Sequence, residues 1–265
     1  MAVSNLVQAG ATGQDIADKL AALGMMGATI APEYGGLGLS AVTYAKIVER
    51  VSAVWMSVSG LFNAHLIMAQ TVERAGTEEQ KQKWLPKLAT GELLAAYALT
   101  EPSSGSDALS AKTRAMLSED GEHYIVDGQK MWITNAGFSD LFTVFCQIDG
   151  NKFSAILIES DREGVSTGAE EKKMGLKGSS TRLLNLEQVK VPKENVLGEI
   201  GKGHKIAFNI LNIGRFKLGV GTLGAAKRAA KIATMYAKER VAFGQPIANF
   251  GAIKAKLGQM LVDLY

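Results

Sequence analysis

The sequence predicts an α+β protein in three consecutive parts: a helical N-terminal domain over residues 1–94, a central β-barrel-like domain over 95–200, and the start of a helical bundle over 201–265. Three observations carry this reading. Apolar residues recur at intervals of three and four through the first third. From about Tyr97 the period changes to two and turn dipeptides appear at hairpin spacing. After "LGEIGKGHK" the helical period returns.

Taken in order, "GQDIADKLAALGMM" and "SAVTYAKIVERVSA" read as helices, separated by "APEYGGLGLS", whose glycine pair forces a tight turn before Ser40 caps the second helix. Val51 to Val72 carries no Asp, Glu, Lys or Arg and is long enough to test as a membrane span, but three serines, Asn63, His65 and Gln70 interrupt it. A buried helix, or two helices broken near Ser57 to Gly60, is expected instead, with no transmembrane segment. "TEEQKQKWLPKLATG" is a further helix with Thr77 as N-cap and glycine at its end. In the middle third, "HYIVDGQKMWIT" and "FCQIDGNKFSAILIE" each place Asp-Gly between strand-like runs and predict two hairpins, and "TRLLNLEQVKVP" adds a strand. Seven or eight short strands in about a hundred residues predict a barrel or paired sheets.

The last part holds one long helix from near Ile206 to Arg240 and another from about Asn249. Gly219, Gly221, Gly224, Ala225, Ala226, Ala229 and Ala230 make the long helix slim, which permits close packing. Leu257, Met260, Leu261 and Leu264 form a stripe whose partner helices are not evident, so the expectation is a fragment or a bundle completed by another subunit.

Composition narrows the function classes. A net charge of +3, with basic residues gathered at Lys227, Arg228, Lys231, Lys238 and Arg240, reads as a solvated helix face and not as a nucleic-acid surface. The single cysteine, Cys146, reads as a buried strand residue. The first fifteen residues lack a secretory leader pattern, which points to the cytoplasm, or to the mitochondrial matrix in a eukaryote. His65, His123 and His204 have no second ligand at metal spacing and read as helix, strand and loop histidines, so no metal is expected. "GSDALSAKT" and "GEIGKGHK" fail the phosphate-loop pattern, and no G-x-S-x-G elbow is present.

Two stretches remain. "YALTEPSSGSD" and "KMWITNA" each end a strand and set hydrogen-bonding groups beside an aromatic: Tyr97 with Thr100 and Ser106, Trp132 with Thr134 and Asn135. A planar cofactor with a polar edge suits such a pair, because an indole covers a ring face while hydroxyls and N–H groups reach its heteroatoms. These two motifs, followed in order by "MGLKGSSTRLLNLEQVKVPKENVLGEIGKGHKIA", "GR" and "AKERVAFGQPI", resemble the acyl-CoA dehydrogenase family of flavoproteins, from "APEYGGLGL" to the end of the chain. "NIGRFKLG" and "FGQPIANFG" are similar to its very-long-chain branch.

The resemblance implies a helical, β and helical order and an FAD-dependent α,β-dehydrogenation of acyl-CoA thioesters to enoyl-CoA in fatty acid β-oxidation. Electrons would pass to an electron-transfer flavoprotein, and the flavin site would be shared in a homodimer or homotetramer. It implies FAD contacts at Tyr97, Leu99, Thr100, Gly105, Ser106, Trp132, Ile133 and Thr134, with Arg240 and Phe243 reaching the FAD of a second copy. Ser106, Asn212 and Arg215 would meet the CoA arm. Ala242 and Gly251 stand where the family often carries polar side chains. Glu101 becomes a structural acid of its loop, and the position of the base in some branches is Gly214 here, so the general-base glutamate is expected beyond Tyr265. An acyl-CoA oxidase on the same fold, and a non-catalytic flavin- or CoA-binding module, are the alternatives.

Overall fold

The computed structural model describes residues 13–265. Helix α1 (Gly13–Ala22) buries Ile16, Ala17 and Leu20 on one face, as its apolar spacing requires. The glycine pair after it turns tightly: Gly35 sits at φ 83, and a Cβ on Gly36 would lie 2.1 Å from the Ile30 carbonyl oxygen.

Helix α2 (Ala41–Ala75) starts at Ser40, whose hydroxyl accepts from the Thr43 amide. Its helical path breaks at Trp55 (φ −158, ψ 104), two residues before the predicted interval. It is long and apolar enough to cross a membrane by length and composition alone, yet Phe62, Leu66, Met68, Ala69 and Val72 are wholly buried in the fold. Helix α3 (Glu78–Thr90) opens with a reciprocal capping box between Thr77 and Gln80 and closes on Gly91 in the left-handed region.

His65 joins these helices to the sheet. Its Nε2 faces the Leu88 carbonyl at the end of α3, and its Nδ1 accepts from the Ala95 amide. A neutral ring protonated on Nε2 satisfies both, and burial lowers its pKa to about 4.

Eight strands follow: β1 (Ala95–Ala98), β2 (Arg114–Leu117), β3 (His123–Thr134), β4 (Leu141–Ile148), β5 (Lys152–Glu159), β6 (Val165–Thr167), β7 (Thr181–Pro192) and β8 (Val196–Leu197). They form one open sheet in the order β6-β7-β3-β2-β4-β5-β8, with β1 pairing in parallel with β4, so the barrel-like outline does not close. The predicted β4–β5 hairpin turns at Asp149 and Gly150, both at positive φ.

The other predicted hairpin is a single strand. Asp127 and Gly128 lie inside β3, which pairs with β2 on one side and β7 on the other. Asp127 accepts from the Gln188 amide across a bulge, and a Cβ on Gly128 would stand 2.4 Å from the Thr113 hydroxyl. Close backbone approach, not chain reversal, is what this glycine supplies.

Helix α4 (Gly203–Glu239) lies along α2, and its small residues permit the approach: a Cβ on Gly224 would stand 2.1 Å from the Glu49 carbonyl oxygen. His204 belongs to its first turn and not to a loop. Lys227 pairs with Glu49 at 2.7 Å, and the rest of the basic group faces solvent. A short hairpin, β9 (Val241–Ala242) and β10 (Gln245–Pro246), leads to α5 (Gly251–Leu264), which buries none of its residues.

Candidate functional site

The two polar-aromatic motifs meet at one end of the central sheet. Strand β1 ends at Ala98, and the chain runs on through Leu99, Thr100 and Glu101 beside β3. The Met131 amide donates to the Thr100 carbonyl oxygen at 2.8 Å, and the Lys130 ammonium donates to the Leu99 carbonyl oxygen at 3.2 Å and to Glu101 Oε1 at 2.7 Å. Three consecutive residues of one motif are thus held by two consecutive residues of the other.

Just past these contacts β3 carries an extra residue. Lys130 pairs with Leu184 and Ile133 with Arg182, which leaves Met131 and Trp132 opposite Leu183 alone. Trp132 takes φ 59 in this bulge, a region tryptophan rarely adopts, and its side chain is 60% exposed. Ile133 turns back into the core, and Thr134 pairs with Thr181. Asn135, again at positive φ, donates to the Leu61 carbonyl oxygen of α2 at 2.9 Å, so the end of the motif is tied to the helical part.

Tyr97 points elsewhere. Its ring packs on Phe145 at 5.0 Å and its hydroxyl donates to the Ala207 carbonyl oxygen of α4; burial pushes its pKa well up. Leu99 packs against the same core. Both side chains are partly buried against this core.

Glu101 is committed. Its carboxylate accepts from the Lys112 and Thr113 amides at 2.6 and 3.0 Å as well as from Lys130. Burial works to raise this carboxyl, but the Lys130 charge and the donors outweigh it and hold the group below its ordinary range. A group so bound is a poor proton acceptor, which agrees with its reading as a structural acid of the loop.

The following turn is bare. Glu101 and Ser104 exchange backbone bonds, and the Ser104 hydroxyl caps the Asp107 carbonyl oxygen. Gly105 has open space where a Cβ would stand, and the amides of Gly105 and Ser106 have no acceptor among the described residues. An exposed indole, the Thr100 hydroxyl and free loop amides form a donor set that fits a flavin ring with a polar edge.

Asn212 and Arg215 share one exposed face of α4, the guanidinium donating to the Asn212 side-chain oxygen at 2.6 Å. Gly214 lies between them in sequence and faces Ile67. Arg240 ends α4, and its guanidinium has no partner among the described residues. Phe243, 95% exposed at φ 53, meets the Phe250 ring edge to face. The hairpin packs on α4 through β10.

Lys130 was missed by sequence reasoning. The signal was present: in "HYIVDGQKMWIT" it falls on the inward parity of Tyr124 and Val126, where a lysine requires an acid.

Comparison with known proteins covers nearly the whole chain. The description "Acyl-CoA dehydrogenase, N-terminal domain" matches residues 3–92, its middle domain 96–189 and its C-terminal domain 201–265. A probable acyl-CoA dehydrogenase of Bacillus subtilis is 56% identical over 248 residues, covering 93% of this chain and 42% of that protein. The human mitochondrial very long-chain specific acyl-CoA dehydrogenase is 41% identical over 253 residues, covering 92% of this chain and 39% of its own. This chain therefore spans about two fifths of the length of these relatives. Among solved structures, an acyl-CoA dehydrogenase of Bacillus anthracis complexed with FAD superposes with a TM-score of 0.91 at 56% identity, covering 94% of this chain and 44% of that one. Butyryl-CoA dehydrogenase of Megasphaera elsdenii gives 0.91 at 37%, covering 97% and 69%.

Proposed function

The chain belongs to the acyl-CoA dehydrogenase family, and from that premise we propose that it forms the flavin and thioester cradle of an FAD-dependent acyl-CoA dehydrogenase. The reaction turns an acyl-CoA into the trans-2-enoyl-CoA: the α proton goes to a carboxylate base and the β hydrogen leaves as hydride. FAD, when bound, supplies the two-electron acceptor. The place of the enzyme is fatty acid β-oxidation, and an electron-transfer flavoprotein takes the electrons onward.

The observation that supports this reading best is the joining of the two motifs through Leu99, Thr100, Glu101, Lys130 and Met131. The Thr100 hydroxyl and neighbouring amides hold the polar edge of the ring. Trp132 covers one face and shields it from water, and Thr134 donates where negative charge grows on reduction. The amides of Gly105 and Ser106 bind phosphate or amide oxygens of a ligand, and Asn212 with Arg215 orients the CoA arm. Arg240 and Phe243 serve the flavin of a second copy, which makes the working unit a homo-oligomer. Gly214 carries no group that could take a proton, and Glu101 is occupied.

Absorbance of the purified 265-residue chain, after FAD addition and desalting, tests the cradle. Retained flavin is expected, and anaerobic octanoyl- or palmitoyl-CoA should leave its colour unbleached. Loss of all flavin on desalting would sink the cradle; bleaching would locate a working base within these residues and overturn the assignment of Gly214 and Glu101.

A further inference from the structure

The ion pair beneath the candidate cradle has no part in the reading above beyond joining two motifs. Lys130 is 0% exposed and Glu101 5%. Buried ion pairs of this kind are close to break-even against apolar residues of similar volume, because both ions lose their hydration. Global stability is therefore a weak reason for this pair to exist, and its geometry offers a better one.

A trans peptide unit points its C=O and its N–H in opposite directions. The carbonyl of Leu99 is drawn inward by the Lys130 ammonium, so the amide of Thr100, which closes the same peptide unit, points outward. That amide has no acceptor among the described residues. The next carbonyl, that of Thr100, is also held inward, by the Met131 amide. Glu101 completes the clamp: it fixes the Lys130 head group and pins the returning chain at Lys112 and Thr113. Trp132, at φ 59 in the bulge of β3, follows the clamped Met131 directly.

We infer that Lys130 and Glu101 are a positioning pair: they aim the Thr100 amide, and set the point at which β3 bulges at Trp132, for the polar edge and face of the flavin. This rests on the proposed FAD cradle. The pair touches neither ring nor substrate and acts through the backbone of Leu99 and Thr100.

Three proteins separate this from a purely structural role: the wild-type chain, Glu101→Gln, and the apolar replacement Lys130→Met with Glu101→Leu. Each is measured twice, by the urea midpoint of the FAD-free protein and by FAD titration followed through flavin fluorescence and the shape of the bound flavin's absorbance. The double variant removes the acceptor of the Lys112 and Thr113 amides along with the ion pair, so its urea midpoint is expected to fall; while folded, it should bind FAD about tenfold more weakly, the scale of one misdirected hydrogen bond. Its residual bound flavin should show an altered band shape. Glu101→Gln, which retains one acceptor oxygen but not the charge, should fall between in FAD binding.

A double variant that folds and binds FAD as wild type does would overturn the positioning role while leaving the cradle intact. If the double variant does not fold, Glu101→Gln decides: weaker FAD binding by the folded variant together with an altered flavin band shape supports the role, and unchanged binding removes it. A wild-type chain that binds no FAD removes the cradle itself and this inference with it.

Discussion

Strand β4 buries seven of its eight residues, whereas α5 buries none of its fourteen. Both are written in apolar residues at the period of their own structure. The strand finds cover on both faces, from the β domain core on one side and from the layer of Phe145, Phe153 and Tyr97 beneath α4 on the other. The helix packs on α4 and the residues 247–249, and no residue of it is buried. An apolar period therefore states that a face favours cover, but not where the cover comes from. The parts of the candidate site divide in the same way: Thr100 and Trp132 rest on a core this chain completes, while Arg240 and Phe243 stand on an exposed hairpin.

The sharpest way to break the contrast is to empty the strand's side. Phe145→Ala removes a wholly buried ring packed at 5.0 Å from Tyr97 and 5.7 Å from Phe153. It should lower stability by about 3–5 kcal/mol in urea unfolding. A loss under about 1 kcal/mol would mean that the layer beneath α4 is not close-packed.

Next in size is the junction between helices and sheet. His65 is neutral in the fold, with its pKa lowered from the ordinary 6.5 to about 4 chiefly by burial. Between those values the unfolded chain binds a proton that the fold refuses, so stability from this site is full above pH 6.5 and falls as pH drops toward 4. The total loss is about 3 kcal/mol. Urea midpoints at pH 7 and pH 5 should therefore diverge in wild type and converge in His65→Gln; equal pH slopes in the two proteins would contradict the assignment.

The smallest effect sharpens the contrast from the other side. Leu261→Ala on α5, where the side chain is 65% exposed, should shift the urea midpoint by no more than about 0.5 kcal/mol. A larger shift that grows with protein concentration would show that the stripe is covered by a second copy.

Much of this architecture was legible because local chemistry decides it. Ser40, Thr77 and Gly91 end helices by satisfying amides or accepting a left-handed backbone, and those needs are written at single positions. Asp149-Gly150 reversed the chain as expected, but Asp127-Gly128 did not: the same dipeptide serves a bulge when Thr113 crowds it and Gln188 reaches for its carboxylate. That distinction depends on residues about fifteen and sixty positions away, which no window contains. The break in α2 was expected two residues late, at serines and glycine, whereas the structure puts it at Trp55, whose indole packs where Gly178 leaves no room for a Cβ. In the site, the aromatic and hydroxyl groups of both motifs were visible. The clamp between Lys130 and Glu101 was not, because it is made by a parity and a partner that only the fold brings together.

Cys146 offers a last consequence. It is wholly buried in β4, between β5 and the strands on its other side, and burial pushes its thiol up to about 12. The native protein should thus be nearly silent toward thiol-directed dyes, since neither access nor thiolate is available. Every labelling event then records an excursion in which the middle of the sheet has parted. The chain carries a built-in clock for its own breathing, one that can be read in cell lysate, without purification or an engineered tag, by counting labelled against unlabelled molecules over time.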